Sequence, residues 1–310
     1  ALVYASLTGY GQTGPARDFP GYDFVIQGQS GLMSISGPVE GEPAKLGVAI
    51  SDVIAGLFAA VSILGALRHA EQTGCGQQLD IALYDTSIAA LVNVVSGALV
   101  SGQKPARYGN AHPSIVPYQP FAASDQLFTV AVGNDRQFAA LCGLMGHPEW
   151  SADARFATNP ARVAHRQTLI GLLEPVFRQR SAAAWTDELR ALGIPAGPIN
   201  DVQAMLDDPQ VAARGLIREV DWLGETLRLI GPAAGFSATP PGVYAAPPRL
   251  GEHTDEVLRD RLGLSEAQIA ELRAAGADLT AIANHFYRER PFSTIKLWGL
   301  VLAGVAWCGQ

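Results

Sequence analysis

Cysteine is scarce in this chain: three residues in 310, Cys75, Cys142 and Cys308, far apart from one another. That spacing offers neither a disulfide framework nor the paired thiolates of a zinc site. Histidine is also thin, with six scattered residues and no His-x-x-x-His pair, so a structural metal is not expected. Charged residues make up only 16% of the chain, the net charge is -7 and no basic block stands out, which argues against nucleic acid as a partner. There is no G-x-S-x-G elbow, no ordered Ser/His/Asp set and no internal repeat. No signal peptide opens the chain, and few, dispersed thiols suit a reducing cytoplasm. The apolar segment 297–308, flanked by Trp298 and Trp307, falls far short of the roughly 20 residues a membrane span needs. It reads as a docked helix, an interfacial segment or a read-through tail.

What the chain does have is an apolar content of 48%, enough for one large or two ordinary folded domains. Its first hundred residues alternate strand and helix signals. Residues 2–7 read as a strand, 22–36 as a mixed apolar run that includes a helix, 53–71 as a helix ended by Thr73-Gly74-Cys75-Gly76, 78–83 as a strand and 85–100 as a second apolar helix. That order predicts an α/β fold, an open parallel sheet with helices on its faces. The proline-rich stretch 106–125 reads as a linker. Residues 126–200 read as a smaller α+β domain, 201–275 as a second linker returning to the large domain (1–105), and 276–310 as an atypical tail. Because the chain opens directly in a strand, a preceding section is expected.

The most informative single residue is Asp52. Residues 48–50 read as a short buried strand, and Asp52 stands between it and the helix that follows. A carboxylate at a helix N-terminus is kept ionised by unpaired N–H groups and the positive end of the helix dipole. The same groups stabilise negative charge developing on an atom bonded to it, which a carboxylate nucleophile requires. A simpler role is also open: Asp52, or Ser51 before it, capping the helix.

Four other features compete for attention. Gly9-Tyr10-Gly11-Gln12-Thr13-Gly14 matches the dinucleotide fingerprint in letters, but Pro15 follows at once and no acidic residue ends a second strand at the required distance. A glycine-rich loop that lets backbone N–H groups approach a ligand fits better. Asp23 reads as a helix cap or Asx turn. Asp135 lies between a strand and a helix, where it too reads as a cap. His112 lies in the proline-rich stretch and is placed either to touch a carboxylate or to serve structure alone.

In sequence order the chain carries Ser6-Leu7-Thr8-Gly9-Tyr10-Gly11, Pro20-Gly21-Tyr22-Asp23, Gly31-Leu32-Met33, Lys45-Leu46-Gly47-Val48-Ala49-Ile50-Ser51-Asp52, Thr73-Gly74-Cys75-Gly76-Gln77, Leu79-Asp80-Ile81-Ala82-Leu83 and Gly197-Pro198-Ile199-Asn200. This ordered set resembles the family III CoA-transferases over about residues 1 to 255. The resemblance implies that Asp52 attacks an acyl-CoA thioester, passing through an acyl-aspartyl anhydride and an aspartyl-CoA thioester before CoA reaches a second carboxylic acid. It places Phe19, Pro20, Gly21 and Tyr22 along the CoA channel. It places Gly9, Gly109, Asn110 and His112 in loops that meet the substrate, with His112 on the distal carboxylate of a short dicarboxylate, and Asp135 at an acidic position near the active site. The racemases of the same superfamily carry histidine at the place of Tyr22, and tyrosine, with a reference pKa of about 10, is a poor base at neutral pH. Tyr22 therefore favours transfer over α-proton exchange, with a racemase-like isomerase or an inactive truncated subunit as alternatives. The resemblance further implies an interlinked homodimer, no metal or prosthetic group, CoA entering as substrate, and an N-terminal section supplying further CoA contacts.

Overall fold

A strand, a set of helices and a parallel partner strand form the first part of the computed structural model, which describes residues 1–275 apart from 243–244, 250 and 261–262. The expected tail 276–310, with its apolar segment, lies outside the described residues. By contact pattern Ala1–Ile199 form one compact unit and the described residues from Asn200 onward a second.

In the first unit, β1 (Val3–Thr8) pairs in parallel with β2 (Gln77–Ala82), register Val3 to Gln77 through Thr8 to Ala82. Parallel pairing demands a crossover. It is made by α1 (Asp23–Gln29), the single turn α2 (Leu32–Ile35) and α3 (Ile50–Thr73), the longest described helix. Gly31, in the left-handed region at φ 90°, separates α1 from α2, so the apolar run 22–36 becomes two short helices. The predicted glycine stop of α3 holds: Gly74 adopts φ 74° and its N–H donates to the carbonyl of Ala70. The apolar helix expected over 85–100 is instead two, α4 (Leu83–Ala90) and α5 (Val92–Ser101), bent by 74° at Leu91. The core here is small: Ile26 of α1, Ala55 of α3 and Leu83 of α4, backed by Leu7, Tyr10 and Tyr84. By contrast α3 exposes Val53, Leu57, Val61 and Leu64, a stripe at helical spacing.

A three-stranded antiparallel sheet follows, with β4 (Leu127–Ala131) between β3 (Tyr118–Ala122) and β5 (Ala196–Pro198). β3 lies inside the stretch expected to be a structureless linker. Its Pro120 is tolerated because β3 is an edge strand. Between β4 and β5 run α6 (Asp135–Leu144), α7 (Asn159–Ala164), α8 (Arg166–Phe177) and α9 (Ala182–Ala191). Their apolar faces and the sheet enclose the main core, centred on Phe177. Its ring lies 4.6 Å from that of Phe121, 5.3 Å from Phe128 and 5.2 Å from Trp185. The Trp185 indole N–H donates to the Phe177 carbonyl at 2.8 Å, so the one polar atom of that ring is satisfied.

Cys142 is fully buried in this core, and loss of solvation pushes its thiol up to about 12, whereas Cys75 is exposed. A protonated, inaccessible thiol is a poor nucleophile. Brief alkylation of the native protein at neutral pH followed by peptide mass analysis is expected to modify Cys75 and spare Cys142; both react once the chain is unfolded.

The second unit holds the short helices α10 (Val202–Leu206) and α11 (Pro209–Ala213), an antiparallel pair of β6 (Ile217–Trp222) with β7 (Glu225–Ile230), and helices α12 (Thr254–Asp260) and α13 (Glu266–Ala274). Ser265 and Gln268 close a capping box on α13.

Candidate functional site at the start of the long helix

The segment that leads to Asp52 is not the buried strand its apolar letters suggest. Residues 45–49 are exposed irregular backbone, Val48 by 61%, and α3 already begins at Ile50. The reason is local. A strand needs a neighbour for its ladder, and these backbone groups bond elsewhere. The Leu46 N–H donates to the Gln27 side-chain carbonyl at 3.0 Å, and the Val48 carbonyl accepts from the Ile50 N–H at 2.8 Å and from the Gln27 side-chain amide at 3.4 Å.

Asp52 is therefore the third residue of α3, in its first turn, and is half-buried. The cap position belongs to Ala49, which has no side-chain oxygen. The anion that satisfies the helix end comes from another element. Asp23, first residue of α1, accepts the Ser51 N–H at 2.8 Å on Oδ1 and the Gln27 Nε2–H at 2.7 Å on Oδ2. Asp23 thus caps a helix, as its position suggested, but the helix is α3 rather than its own.

The glycine-rich loop reaches the same place. No helix begins within residues 9–14, which removes the dinucleotide reading. The loop is pinned to the parallel strands: the Gly11 N–H donates to Thr8 Oγ1 at 2.8 Å, the Gln12 N–H to Asp80 Oδ2 at 2.9 Å and Gln12 Nε2 to Ser6 Oγ at 2.7 Å. Gly9 is pressed against Gly21: a Cβ on Gly21 would lie 2.2 Å from the Gly9 Cα, inside any allowed contact with unyielding backbone. This contact draws Phe19, Pro20, Gly21 and Tyr22 beside the loop, with Phe19 and Tyr22 exposed and the Tyr10 ring between those of Phe19 and Tyr84, at 6.4 and 5.8 Å. Gly21→Ala is expected to cost about 1–3 kcal/mol through overpacking, read as a lowered denaturation midpoint.

The other predicted residues make different contacts, and a Cβ on Gly109 would lie 3.8 Å from Val39 Cγ2. Asp135 opens α6, but the cap is Asn134, whose side chain accepts the Gln137 N–H at 2.9 Å. The Asp135 carboxylate instead accepts from Arg162 at 2.8 Å. That guanidinium is completely buried, donates also to the carbonyls of Val116 (2.7 Å) and Phe156 (2.9 Å), and lies over the Phe138 ring. Asp135 is its counter-charge. Gly109, in the left-handed region at φ 59°, and Asn110 lead to His112. The His112 ring packs 5.2 Å from Tyr118, and its Nδ1 accepts the Ser114 N–H at 3.1 Å, which leaves Nε2 to carry the proton in the neutral ring. Arg166 of α8 donates to the backbone carbonyls of His112 and Pro113 at 2.7 and 2.9 Å and so anchors this loop. Among the described residues no three of His, Cys, Asp or Glu converge as a metal cage would require.

Sequence reasoning missed Gln27, Ser87 and Arg162. Gln27 stands four residues after Asp23, one helical turn away, and that spacing was the available signal.

Comparison with known proteins supplies the context of this arrangement. The profile of CoA-transferase family III matches residues 1–254. A succinate–glutarate CoA-transferase of Agrobacterium fabrum is 41% identical over 260 residues, covering 84% of this chain and 65% of that protein. A human succinyl-CoA:glutarate CoA-transferase is 36% identical over 277 residues, covering 89% and 63%. The crystal structure of a CAIB/BAIF family protein from Brucella suis superposes with a TM-score of 0.72 at 42% identity, over 84% of this chain and 68% of that one. The chain thus spans a little under two thirds of the length of these curated relatives.

Proposed function

Because the chain belongs to CoA-transferase family III, we propose that it serves an enzyme that moves CoA from an acyl-CoA to a carboxylic acid, with Asp52 as the nucleophile. The observation that carries this reading is the placement of Asp52 in the first turn of α3, next to Ser51, whose N–H is held by Asp23 directly after the Phe19–Tyr22 segment.

The chemistry follows from that placement. A carboxylate oxygen of Asp52 attacks the thioester carbonyl, the C–S bond breaks and CoA leaves as thiolate, giving a mixed anhydride. The thiolate then attacks the Asp52 carbonyl carbon, releasing the donor acid and forming an aspartyl-CoA thioester. The acceptor carboxylate reverses both steps, and Asp52 is regenerated. Asp52 is attacked at its own carbonyl, so negative charge develops on its oxygen, and the N-terminal dipole of α3 lowers the cost of that charge. The exposed Phe19 and Tyr22 offer the apolar walls that a long thioester arm requires.

A short dicarboxylate is the acceptor we favour. Two of the relatives carry succinate or succinyl-CoA together with glutarate in their names, and His112, whose Nδ1 accepts the Ser114 N–H, keeps Nε2 as a donor for a distal carboxylate. We propose a cytoplasmic homodimer as the working assembly, which the apolar stripe on α3 supports. CoA enters as substrate and no resident cofactor is invoked. For Asp135 we retain only an electrostatic influence, exerted through Arg162.

The competing isomerase reading needs two acid/base groups on opposite faces of the substrate α-carbon. The two readings separate in deuterated water. Transfer predicts that acyl-CoA alone keeps its α-protons and that CoA migrates only when a second acid is added. Loss of α-protons without an acceptor would establish the isomerase instead.

A further inference from the structure

We infer that Gln27 and Ser87 are positioning residues for Asp52: a buried polar clamp that joins α1, α4 and the approach to α3, and fixes where the first turn of α3 stands. The inference rests on the reading of Asp52 as nucleophile and goes beyond it by assigning these two residues.

The side chains of Gln27, Ser51 and Ser87 are fully buried. Buried polar groups are costly unless hydrogen-bonded, and here each is. Gln27 Nε2 donates to Asp23 at 2.7 Å and to the Val48 carbonyl at 3.4 Å, while its Oε1 accepts the Leu46 N–H at 3.0 Å. One amide therefore spans the exposed segment ahead of α3. Asp23, held by that amide, takes the Ser51 N–H at 2.8 Å. From the opposite side Ser87, in α4, donates its hydroxyl to the Ser51 hydroxyl at 2.9 Å. Residue 51 is thus tied through backbone to α1 and through side chain to α4, and residue 52 is next in the chain.

Apolar packing does not replace these bonds. The side chains of 45–49 face solvent, and the first α3 residue in the apolar core is Ala55, one turn further on. The polar clamp is what sets the angle and height of the first turn. A nucleophile that must be attacked in its turn at the same carbonyl depends strongly on such placement, since displacement by about 1 Å costs on the order of a hundredfold in rate.

The test uses the intact protein that carries this chain, with Gln27→Leu, which keeps volume and removes all three bonds, and Ser87→Ala, which is milder and guards against a failure to fold. Amide exchange at Leu46 should accelerate in Gln27→Leu and that at Ser51 in both variants. The expected kinetic result is a split: kcat lower by about 10- to 100-fold in Gln27→Leu and about tenfold in Ser87→Ala, with KM for acyl-CoA changed by less than about twofold. Trapping with hydroxylamine after acyl-CoA addition reads the same step directly, as hydroxamate formation at residue 52. An unchanged kcat per folded site in both variants, or a raised KM at constant kcat, would overturn the positioning role while leaving the nucleophile in place. Absence of any hydroxamate at residue 52 in the wild type would overturn both.

Discussion

Asp52→Asn is expected to lower the rate of CoA transfer by at least about a thousandfold, because a carboxamide of nearly the same shape cannot supply the attacking oxygen anion. The fold should be unaffected. Asp52 is not the cap of α3; Ala49 holds the cap position, and Asp23 binds the Ser51 N–H from outside. The affinity for acyl-CoA should be retained, since the Phe19–Tyr22 segment is untouched. Asp52→Glu separates chemistry from placement: it keeps the charge but moves it by one methylene, and about a 10- to 100-fold loss is expected. A stopped assay of label movement from acyl-CoA to free acid, with thermal denaturation as the control for folding, reads both variants. If Asp52→Asn transfers CoA at the wild-type rate, another group is the nucleophile.

The largest expected effect on stability lies at Arg162. Its guanidinium is fully buried and satisfies the carbonyls of Val116 and Phe156 as well as pairing with Asp135. Arg162→Met keeps the apolar stem, but strands two carbonyls at about 1–3 kcal/mol each, a large share of a typical stability of about 5–15 kcal/mol. The pair is asymmetric. The Asp135 side chain is 55% exposed, so solvent screens its half of the interaction. Asp135→Asn, which still accepts a hydrogen bond, is expected to cost only about 1 kcal/mol. Urea denaturation of the two variants checks the order. Equal losses would place the energy in the charge pair itself rather than in the buried carbonyl contacts. If transfer by folded Asp135→Asn fell as far as that by Asp52→Asn, Asp135 would act in the chemistry as well.

Much of this was readable from the letters, and the misses have physical causes. The alternation of β1, α3 and β2 was visible because one long apolar run separates two short strand-like ones, and Gly74 marked the end of α3 through a conformation that glycine adopts freely. Asp52 was found for the same reason: the start of a long apolar helix is a strong signal. Its surroundings were misread. Val48-Ala49-Ile50 has strand-like letters, but whether such a run becomes a strand depends on a ladder partner, and the Gln27 side chain had taken the backbone groups. Gln27 itself resembled a surface polar residue in an apolar helix. Its burial is a tertiary fact, as is that of Arg162, whose letter suggests solvent. The break at Leu91 between α4 and α5 carries neither proline nor glycine, so no local signal marks it. The glycine-rich loop was legible by what it lacked: Pro15 argued against a helix there, and Gly9 against Gly21 supplied a reason for two of its glycines that a nucleotide motif does not.

The central claim is that the Asp52 carboxylate becomes covalently involved in transfer, and isotope passage tests it most directly. An acceptor acid carrying oxygen-18 in its carboxylate forms the second anhydride through one of its own oxygens. When the thiolate then attacks the acceptor acyl carbon, that bridging oxygen stays on the enzyme. After turnover, peptide mass analysis is predicted to find oxygen-18 in the side chain of residue 52. Turnover that leaves Asp52 unlabelled would contradict the account, because CoA would then have moved without this carboxylate bonding to the acid.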